Sequence, residues 1–549
     1  MSEKRKGSHK PMLAPESQTH RRRERAKQLS AIKRDGALAK RRRSLEPSSV
    51  AMAADEEAPS TAAAEYTEAE LKEALAGLAG PPAGALPHLA ALRKMLSSEE
   101  DPPIQAVIDA GAVPRLLALL EHPDDRYKLD AVRCIANIGS GDRHATSHVL
   151  DAAPALIALL HAPSPALVED ALWALGNIAG DVQTSRDVLS AQGAVPAITR
   201  VLAAQTRHAA TRSSAPLAAV AAWALGNLAR GEGASALPFG ASGAFAPLVA
   251  LLGVAPGAGE RGENAAAEAA WALAFLTARE DACVEQLLGL GVVPALVDLL
   301  ARGTQDHSSA KESAAAVAAM TPALRTLGNL AAGPDAWVAQ LLSQPKFLPS
   351  LAQVVASQDP THHAMVKEAA WLVSSLVGGH ASCRDAVLAA GFLVPTLDLL
   401  RSGQFDLQRE AARAVWNIVA DAANSAGAQQ ALQAVTAEPG VLAAFVALLR
   451  VPDMETVAVA LSYVRLVCER VPEGSRAVER AGGLEAIDEL HYGPVDPAIS
   501  AQAAAIVDKF FGEDYEEDST AQPAAPAPAD IGHGMGRGKH LTEPAWMHK

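Results

Sequence analysis

The seven residues Trp173–Ala179, WALGNIA, decide the fold because they return almost unchanged as WALGNLA at Trp223–Ala229. Weaker copies of this segment occur elsewhere in the chain. They stand at Ile135–Ile138, Trp271–Phe275, Arg325–Asn329, Trp371–Ser375 and Arg413–Asn417. The step from Asn137 to Asn177 is 40 residues, and the step from there to Asn227 is 50. Such a period indicates a repeat array in which each unit packs only on its neighbours.

A glycine followed closely by a proline precedes each of several leucine-rich segments between these copies. Gly111–Pro114, Gly193–Pro196 and Gly291–Pro294 are three examples. Glycine readily adopts the left-handed conformation that ends a helix, and proline fits the first helical turn. Each repeat is therefore predicted to hold a short helix, a second helix and a longer third helix, as in armadillo or HEAT units. About ten repeats fit between residues 69 and 512, which predicts an all-α, right-handed superhelical solenoid.

Composition favours packed helices and excludes several classes of protein. A chain of 549 residues is too long for a single core, and 49% of it is apolar while only 4% is aromatic. The four cysteines lie far apart, so neither a disulfide scaffold nor a zinc site is expected. Because no apolar stretch is long enough to span a bilayer, we expect a soluble, intracellular protein with no membrane partner. No metal and no cofactor are expected either.

The charge is divided unevenly along the chain. The net charge is −14, yet residues 1–50 hold 15 Lys/Arg against 5 Asp/Glu. Basic side chains cluster within residues 1–45. Ten of these 15 are the candidate binding residues: Arg21, Arg22, Arg23, Arg25, Lys33, Arg34, Lys40, Arg41, Arg42 and Arg43. We expect residues 1–45 to form a disordered basic arm, 46–68 a flexible linker, 69–512 the repeat domain, and 513–549 an acidic patch followed by a disordered tail.

The Trp and Asn of the recurring segment carry the functional prediction. Four residues apart on a helix, Trp173 and Asn177 lie on one face, and so do Trp223 and Asn227. A single helical Trp usually packs in a core, but two such pairs in the same register of adjacent repeats favour a groove. Asn amides could bind the backbone of an extended peptide, and parallel indole slots could hold the stems of Lys or Arg. The pattern therefore predicts a groove for basic peptides.

At these residues the chain resembles the importin-α family. Leu86–Gly111 is similar to the family's first repeat, Trp173–Asp181 (WALGNIAGD) to its third-repeat motif, and Ala503–Asp518 to its final helix and acidic patch. The basic arm resembles an importin-β-binding segment. The resemblance implies a nuclear import adaptor that shuttles between cytoplasm and nucleus. Such an adaptor binds Lys/Arg-rich nuclear localisation signals and links this cargo to importin-β.

The resemblance also implies two binding grooves. The major groove would comprise Asn137, Gly141, Thr146, Glu169, Trp173, Asn177, Asp181, Trp223, Asn227 and Glu268. Within it, Asp181 is similar in position to the aspartate that holds the key lysine. The minor groove would comprise Phe275, Arg325, Asn329, Glu368, Trp371, Glu410 and Asn417.

Several residues depart from the family's pattern. Arg133 and Arg413 stand where Trp is expected, Ser375 replaces an Asn, and Val220 replaces a polar residue. Because a cationic Arg repels a cationic ligand, we expect repeats three and four to retain their hold on one basic cluster. Bipartite binding through the minor groove should be weakened.

The arm and the tail suggest regulation. Lys40–Arg43 (KRRR) resembles a localisation signal, and a linker of roughly 25 residues would hold it at high effective concentration beside the groove. The arm should therefore compete with cargo until importin-β takes it, and the acidic patch resembles the surface bound by a recycling exportin. The alternatives are a nucleic-acid-binding tail for the arm and, for the whole chain, an armadillo scaffold outside nuclear import. No catalytic motif such as G-x-S-x-G or H-E-x-x-H occurs, so no enzyme is expected.

Overall fold

The computed structural model describes residues 66–81, 84–98, 101–207, 215–231, 234–254, 264–305 and 309–512. All regular structure in these ranges is helical. The chain divides into two compact units, the first ending at Phe347 and the second beginning at Leu348.

In the first unit the helices follow one another in sets of three after an initial pair. They are α1 (Glu68–Ala79), α2 (Ala85–Leu96), α3 (Ile104–Asp109), α4 (Val113–Leu119), α5 (Asp125–Gly139), α6 (Arg143–Val149), α7 (Ala153–Leu159), α8 (Pro165–Ala179), α9 (Gln183–Ala191), α10 (Ala194–Arg207), α11 (Ala215–Ala229), α12 (Leu237–Ala241), α13 (Phe245–Leu251), α14 (Ala265–Leu276), α15 (Asp281–Gly289), α16 (Val292–Gly303), α17 (Ala310–Ala331) and α18 (Asp335–Leu342). A single 3₁₀ turn, Leu150–Ala152, joins α6 to α7.

The second unit continues the same order. Its helices are α19 (Phe347–Val355, whose first residue ends the first unit), α20 (His363–Val377), α21 (Ala381–Ala389), α22 (Leu393–Arg401), α23 (Phe405–Val419), α24 (Ala426–Ala437), α25 (Val441–Leu448), α26 (Met454–Arg470), α27 (Gly474–Arg480), α28 (Gly483–Tyr492) and α29 (Pro497–Phe510). A 3₁₀ turn, Pro360–His362, precedes α20.

Glycine separates the first and second helices of a repeat, as the sequence predicts. Gly111, Gly193 and Gly291 have φ values of 67°, 86° and 76°, in the left-handed region. The prolines that follow lie in the first turn of α4, α10 and α16, where a missing N–H costs no helical hydrogen bond. The same backbone conformation recurs at other first-to-second helix junctions. These are marked by Gly243, Gly391, Gly440 and Gly482.

Every third helix from α2 onward is called here a third helix. Within the first unit α2, α5, α8, α11, α14 and α17 pack on one another in that order, and within the second unit α20, α23, α26 and α29 do the same. Small side chains allow the close approach, since Ala218, Ala221 and Ala222 of α11 are all buried. The third helices therefore bring the recurring segments of neighbouring repeats side by side.

No single helix in the described ranges is long and apolar enough to cross a membrane, although the bent pairs α15–α16 and α24–α25 meet that test by length and composition. The same ranges contain no group of three or more His, Cys, Asp or Glu side chains placed to hold a metal ion.

Candidate functional site

Two positions, four residues apart, recur on the third helices of the candidate site, and in α2 the second position, Ser97, is the residue just after the helix. The first is called here the ladder residue and the second the anchor residue. In the first unit the pairs are Arg93/Ser97, Arg133/Asn137, Trp173/Asn177, Trp223/Asn227, Trp271/Phe275 and Arg325/Asn329. In the second unit they are Trp371/Ser375 and Arg413/Asn417.

The anchor asparagines bind the preceding third helix. Asn177 Nδ2 donates to the Ala136 carbonyl at 2.8 Å, and Asn227 Nδ2 donates to the Gly176 carbonyl at 2.9 Å. Each acceptor is the residue just before the anchor of the preceding helix. Asn329 repeats this bond to Ala274, and Asn417 repeats it to Ser374, both at 2.9 Å. Asn137, at the first complete repeat, donates to the Ser97 hydroxyl at 3.1 Å.

These bonds fix the amides before any ligand arrives. A carboxamide has two N–H donors and an oxygen, and in these asparagines the Nδ2 group joins one repeat to the next. Asn137, Asn177 and Asn227 are all buried. The sequence pattern predicted that these asparagines bind the backbone of a ligand. It did not predict that they also join neighbouring repeats. The acceptor carbonyl can serve both bonds because it has two lone pairs; Gly176, for example, also accepts from the Gly180 N–H at 2.9 Å.

Trp173 and Trp223 contact each other. Their ring centroids are 5.5 Å apart and the ring planes are inclined by 48°. Flat walls on both sides of an aliphatic stem would need roughly 7 Å, two van der Waals separations. The prediction of parallel slots is therefore wrong for this pair, which forms a tilted V of two indoles. Trp223 is fully buried and Trp173 half-buried in the structure.

Gly176 makes room for the Trp223 indole. A Cβ at this position would lie 2.2 Å from Trp223 Cζ3, so the ring rests directly on the backbone of α8. The WALGN motif did not predict this contact. The contact could have been inferred from the presence of a glycine inside a helix. Glycine destabilises a helix interior, so its presence there indicates that another group packs closely against the backbone.

Another aromatic cluster lies between α14 and α17. Trp271 and Phe275 stack with centroids 6.0 Å apart, and the Arg325 guanidinium carbon lies 5.6 Å from the Trp271 ring centroid. Arg325 thus places a resident cation on the indole face, a contact worth about 0.5–2 kcal/mol. Trp271 was not among the predicted site residues, although it occupies the ladder position of a WALAF segment.

Carboxylates stand three residues before most ladder residues. They are Asp130, Asp170, Glu268, Glu368 and Glu410. Glu268 is buried, as is Glu169, which lies one turn before Trp173. The structure thus gathers carboxylates, indoles and amides on the third helices of the first unit. The recurring acid at this spacing was a signal that could have identified Asp130 and Asp170.

Two arginines at ladder positions are paired with these acids. Arg93 Nε lies 2.7 Å from Asp130 Oδ1, and Arg133 Nε donates to Asp170 Oδ2 at 2.8 Å. Burial raises the pKa of Asp130, and the guanidiniums of Arg93 and Arg133 oppose that rise. Arg133 therefore does not stand alone at its ladder position, because Asp170 balances its charge.

The end of α8 near Asp181 is also partly cationic. Arg186 Nη1 donates to the carbonyls of Ala179 and Asp181, each at 3.1 Å, and Arg230 Nη2 donates to the Gly180 carbonyl. Burial, together with the nearby Arg230 cation, lowers the pKa of Arg186 to about 10. Asp181 itself is half-buried. Sequence reasoning missed both arginines.

Thr146 and Gly141 lie at the turn from α5 to α6. The Thr146 side chain is buried and its hydroxyl donates to the Asp142 carbonyl at 3.0 Å. A Cβ at Gly141 would lie 2.9 Å from the Ala145 Cβ, so the turn is tight. Both residues therefore shape the end of α5.

The minor-groove residues of the second unit lie on α20 and α23. Glu368, Trp371 and Glu410 are buried. Glu410 Oε1 accepts from Arg409 Nε at 3.2 Å and lies 3.8 Å from Arg413 Nη1. Arg413 Nη2 also lies 2.7 Å from Glu455 Oε2. The arginine at this ladder position is thus held by two carboxylates.

The Ser375 hydroxyl donates to the Trp371 carbonyl of its own helix at 3.0 Å. The ten basic residues assigned to the arm, and the acidic patch after Gly512, lie outside the described residues.

Comparisons with known proteins agree with the repeat architecture. The Armadillo/beta-catenin-like repeat family matches residues 100–140, 142–180 and 380–420. The crystal structure of an engineered protein is similar in fold, with a TM-score of 0.65 and 24% identity over 81% of this chain and 99% of that one.

The sequence relatives are more specific. Importin subunit alpha-9 of Arabidopsis thaliana is 30% identical over 441 residues, which cover 78% of this chain and 79% of that protein. Importin subunit alpha-2 of Oryza sativa subsp. japonica is 29% identical over 438 residues, or 78% of each chain. The repeats, the anchor asparagines and these relatives together show that the chain belongs to the importin-α family of nuclear import adaptors.

Proposed function

We propose that this protein binds Lys/Arg-rich nuclear localisation signals along α5, α8, α11 and α14 and links them to importin-β. The observation that carries the proposal is the pair of pre-oriented amides, Asn177 and Asn227, beside the indoles of Trp173 and Trp223. Amides read a peptide backbone whatever its sequence. Indole faces and carboxylates then select cationic side chains.

The distribution of charge supports a basic ligand. Residues 69–512 hold 30 Lys/Arg against 45 Asp/Glu, so the repeat domain is acidic. Glu169 and Glu268 are buried on the same third helices as the aromatic ladder, and a buried carboxylate favours a cationic partner. A peptide rich in acids would meet like charges along the same path.

Residues 1–45 are proposed to act as an internal competitor, joined through the linker 46–68 to a repeat domain of residues 69–512. The KRRR sequence of Lys40–Arg43 has the chemistry of the ligand itself. Importin-β would relieve the competition by binding the arm. The protein would shuttle between cytoplasm and nucleus, and the acidic residues 513–518 would meet the recycling exportin.

A peptide titration tests the proposal. A labelled peptide with a Lys/Arg cluster is titrated with the full chain, with a chain lacking residues 1–45, and with a Trp173→Ala variant of the shortened chain. We expect the shortened chain to bind on the order of tenfold more tightly than the full chain, because a tethered competitor is removed. The Trp173→Ala change should reverse much of that gain.

An acidic peptide of equal length is the matched control. Capture of the acidic peptide and not of the basic one would support an armadillo scaffold outside nuclear import. Equal affinity of the full and shortened chains for the basic peptide would overturn self-inhibition while leaving cargo binding intact.

A further inference from the structure

The first two third helices carry Arg at the ladder position, where the next three carry Trp. Arg93 of α2 pairs with Asp130 of α5 at 2.7 Å, and Arg133 of α5 pairs with Asp170 of α8 at 2.8 Å. In both cases the acid lies three residues before the ladder residue of the following helix. A ladder residue therefore reaches the acid of the next repeat.

In the Trp repeats the ladder residue has the same position relative to an acid of the next third helix, but it carries no charge. Trp223 of α11 precedes Glu268 of α14 in the relation that Arg133 has to Asp170. An indole brings no charge to this carboxylate. An arginine brings a cation from within the protein itself.

We propose that Arg133 is a specificity-determining residue, whose guanidinium takes the place of a ligand cation at Asp170 and so shortens the basic cluster that the groove requires. The ligand side chain that faces the junction of α5 and α8 then need not be Lys or Arg. This inference rests on the proposed function, since it concerns the ligand of the same groove.

Burial explains why a ligand does not simply displace Arg133. The Asp170 side chain is fully buried and the Arg133 side chain is 14% exposed. Separating such a pair leaves an uncompensated charge away from water, which is strongly unfavourable. The Arg93–Asp130 pair repeats the arrangement one junction earlier, with side chains 21% and 15% exposed. Cationic side chains of the ligand are therefore needed only beside the indole-bearing repeats and not beside the two arginine-bearing ones.

An alanine scan of the ligand tests the inference. The full chain is titrated with a peptide of about five consecutive lysines in neutral flanks, and with each single alanine variant of it. Any competition from the arm affects all these peptides equally, so it cancels in the ratios of Kd. We expect alanine at one end of the cluster to raise Kd by less than about twofold, and alanine at interior positions to raise it about tenfold or more.

Two protein variants then assign the effect to Arg133. In Arg133→Gln the Asp170 carboxylate loses its cation, so the indifferent end position should become sensitive, with a rise in Kd of about fivefold or more on alanine substitution. In the matched variant Arg133→Gln/Asp170→Asn the carboxylate is gone as well, and the indifference should return.

The outcomes separate the two proposals. Failure of the parent lysine peptide to bind would sink the proposed function. Binding of the parent with equal sensitivity at all positions of the wild-type scan would overturn the inference alone, whether or not the variants fold. An unchanged scan in a folded Arg133→Gln variant would also overturn it.

Discussion

At the scale of single residues, the two glycines of the WALGN segments have different surroundings. A Cβ at Gly176 would lie 2.2 Å from the Trp223 ring, whereas the nearest atoms to a Cβ at Gly226 would be those of Ala272, at 3.6 Å. The first is a collision with a buried ring, and the second is ordinary contact. The same motif therefore supports a close aromatic packing in one repeat and leaves space in the next.

We predict opposite effects of Gly→Ala at these two positions. Gly176→Ala should lower the free energy of unfolding by about 1–3 kcal/mol, because the Trp223 indole must leave α8. Gly226→Ala should raise it by up to about 1 kcal/mol, because alanine is a better helix former than glycine. Urea unfolding followed by tryptophan fluorescence measures both. A loss at Gly226 equal to that at Gly176 would show that the Trp223 contact is not the cause.

At the scale of secondary-structure elements, each third helix needs a defined beginning as well as a partner. Helix α5 begins after Asp124, whose Oδ1 accepts from the Arg126 N–H at 2.9 Å. The Arg126 guanidinium also donates to this carboxylate, at 2.7 Å from Nη2 to Oδ2. These bonds set the start of the helix that carries Arg133 and Asn137.

The cap gives a pH-dependent prediction. The hydrogen bonds from the Arg126 side chain and backbone lower the pKa of Asp124 from 3.8 to about 2. Because the folded-state pKa is depressed, the stabilisation is complete above the unfolded-state value and is lost as pH falls through the folded-state value. Asp124→Asn keeps an oxygen acceptor but cannot titrate.

We therefore expect the wild-type chain to exceed Asp124→Asn in its urea midpoint at neutral pH, and the difference to shrink between about pH 4 and pH 2. Midpoints measured for both proteins across that range are the test. A difference independent of pH would mean that the carboxylate charge contributes nothing to the cap.

At the scale of the whole molecule, both units contain an Asn-type joint, but their charged surroundings differ. In the first unit Asn177 stands beside the indoles of Trp173 and Trp223. In the second unit Asn417 follows Arg413, which Glu410 and Glu455 already balance. A second basic cluster of a ligand would therefore compete with Arg413 for the Glu410 and Glu455 carboxylates.

This contrast predicts unequal effects on a bipartite ligand with two basic clusters. Asn177→Ala should weaken its binding by about tenfold or more, and Asn417→Ala by less than about threefold, as measured by calorimetry. The two changes are matched, since each removes one inter-helix bond, of 2.8 or 2.9 Å, to a backbone carbonyl. Equal losses of affinity would refute the weak second groove.

Much of the architecture was predictable because it depends on local chemistry. The Gly–Pro junctions and the period of the Trp/Asn segments predicted helical repeats, and the left-handed glycines together with the importin-α relatives confirm them. The site was predictable only by residue type. Which atoms Trp223, Arg133 and the anchor amides contact depends on the distance between helices from different repeats, and no short stretch of sequence encodes that distance. The groove roles of the individual residues stay predictions.

The hydrogen bonds from the anchor asparagines to the preceding third helices affect the spacing between the amides of successive repeats. Four of the five anchor asparagines, all except Asn137, bond to the backbone of the preceding third helix. The position of each of these amides therefore follows the spacing of the repeats rather than the flexibility of its own side chain. A ligand backbone bound by these amides would have to match their spacing, which changes only when whole repeats move relative to one another. Stretching or bending the repeats of a unit would thus change the spacing of the amides, which would then no longer match the spacing of residues in the ligand.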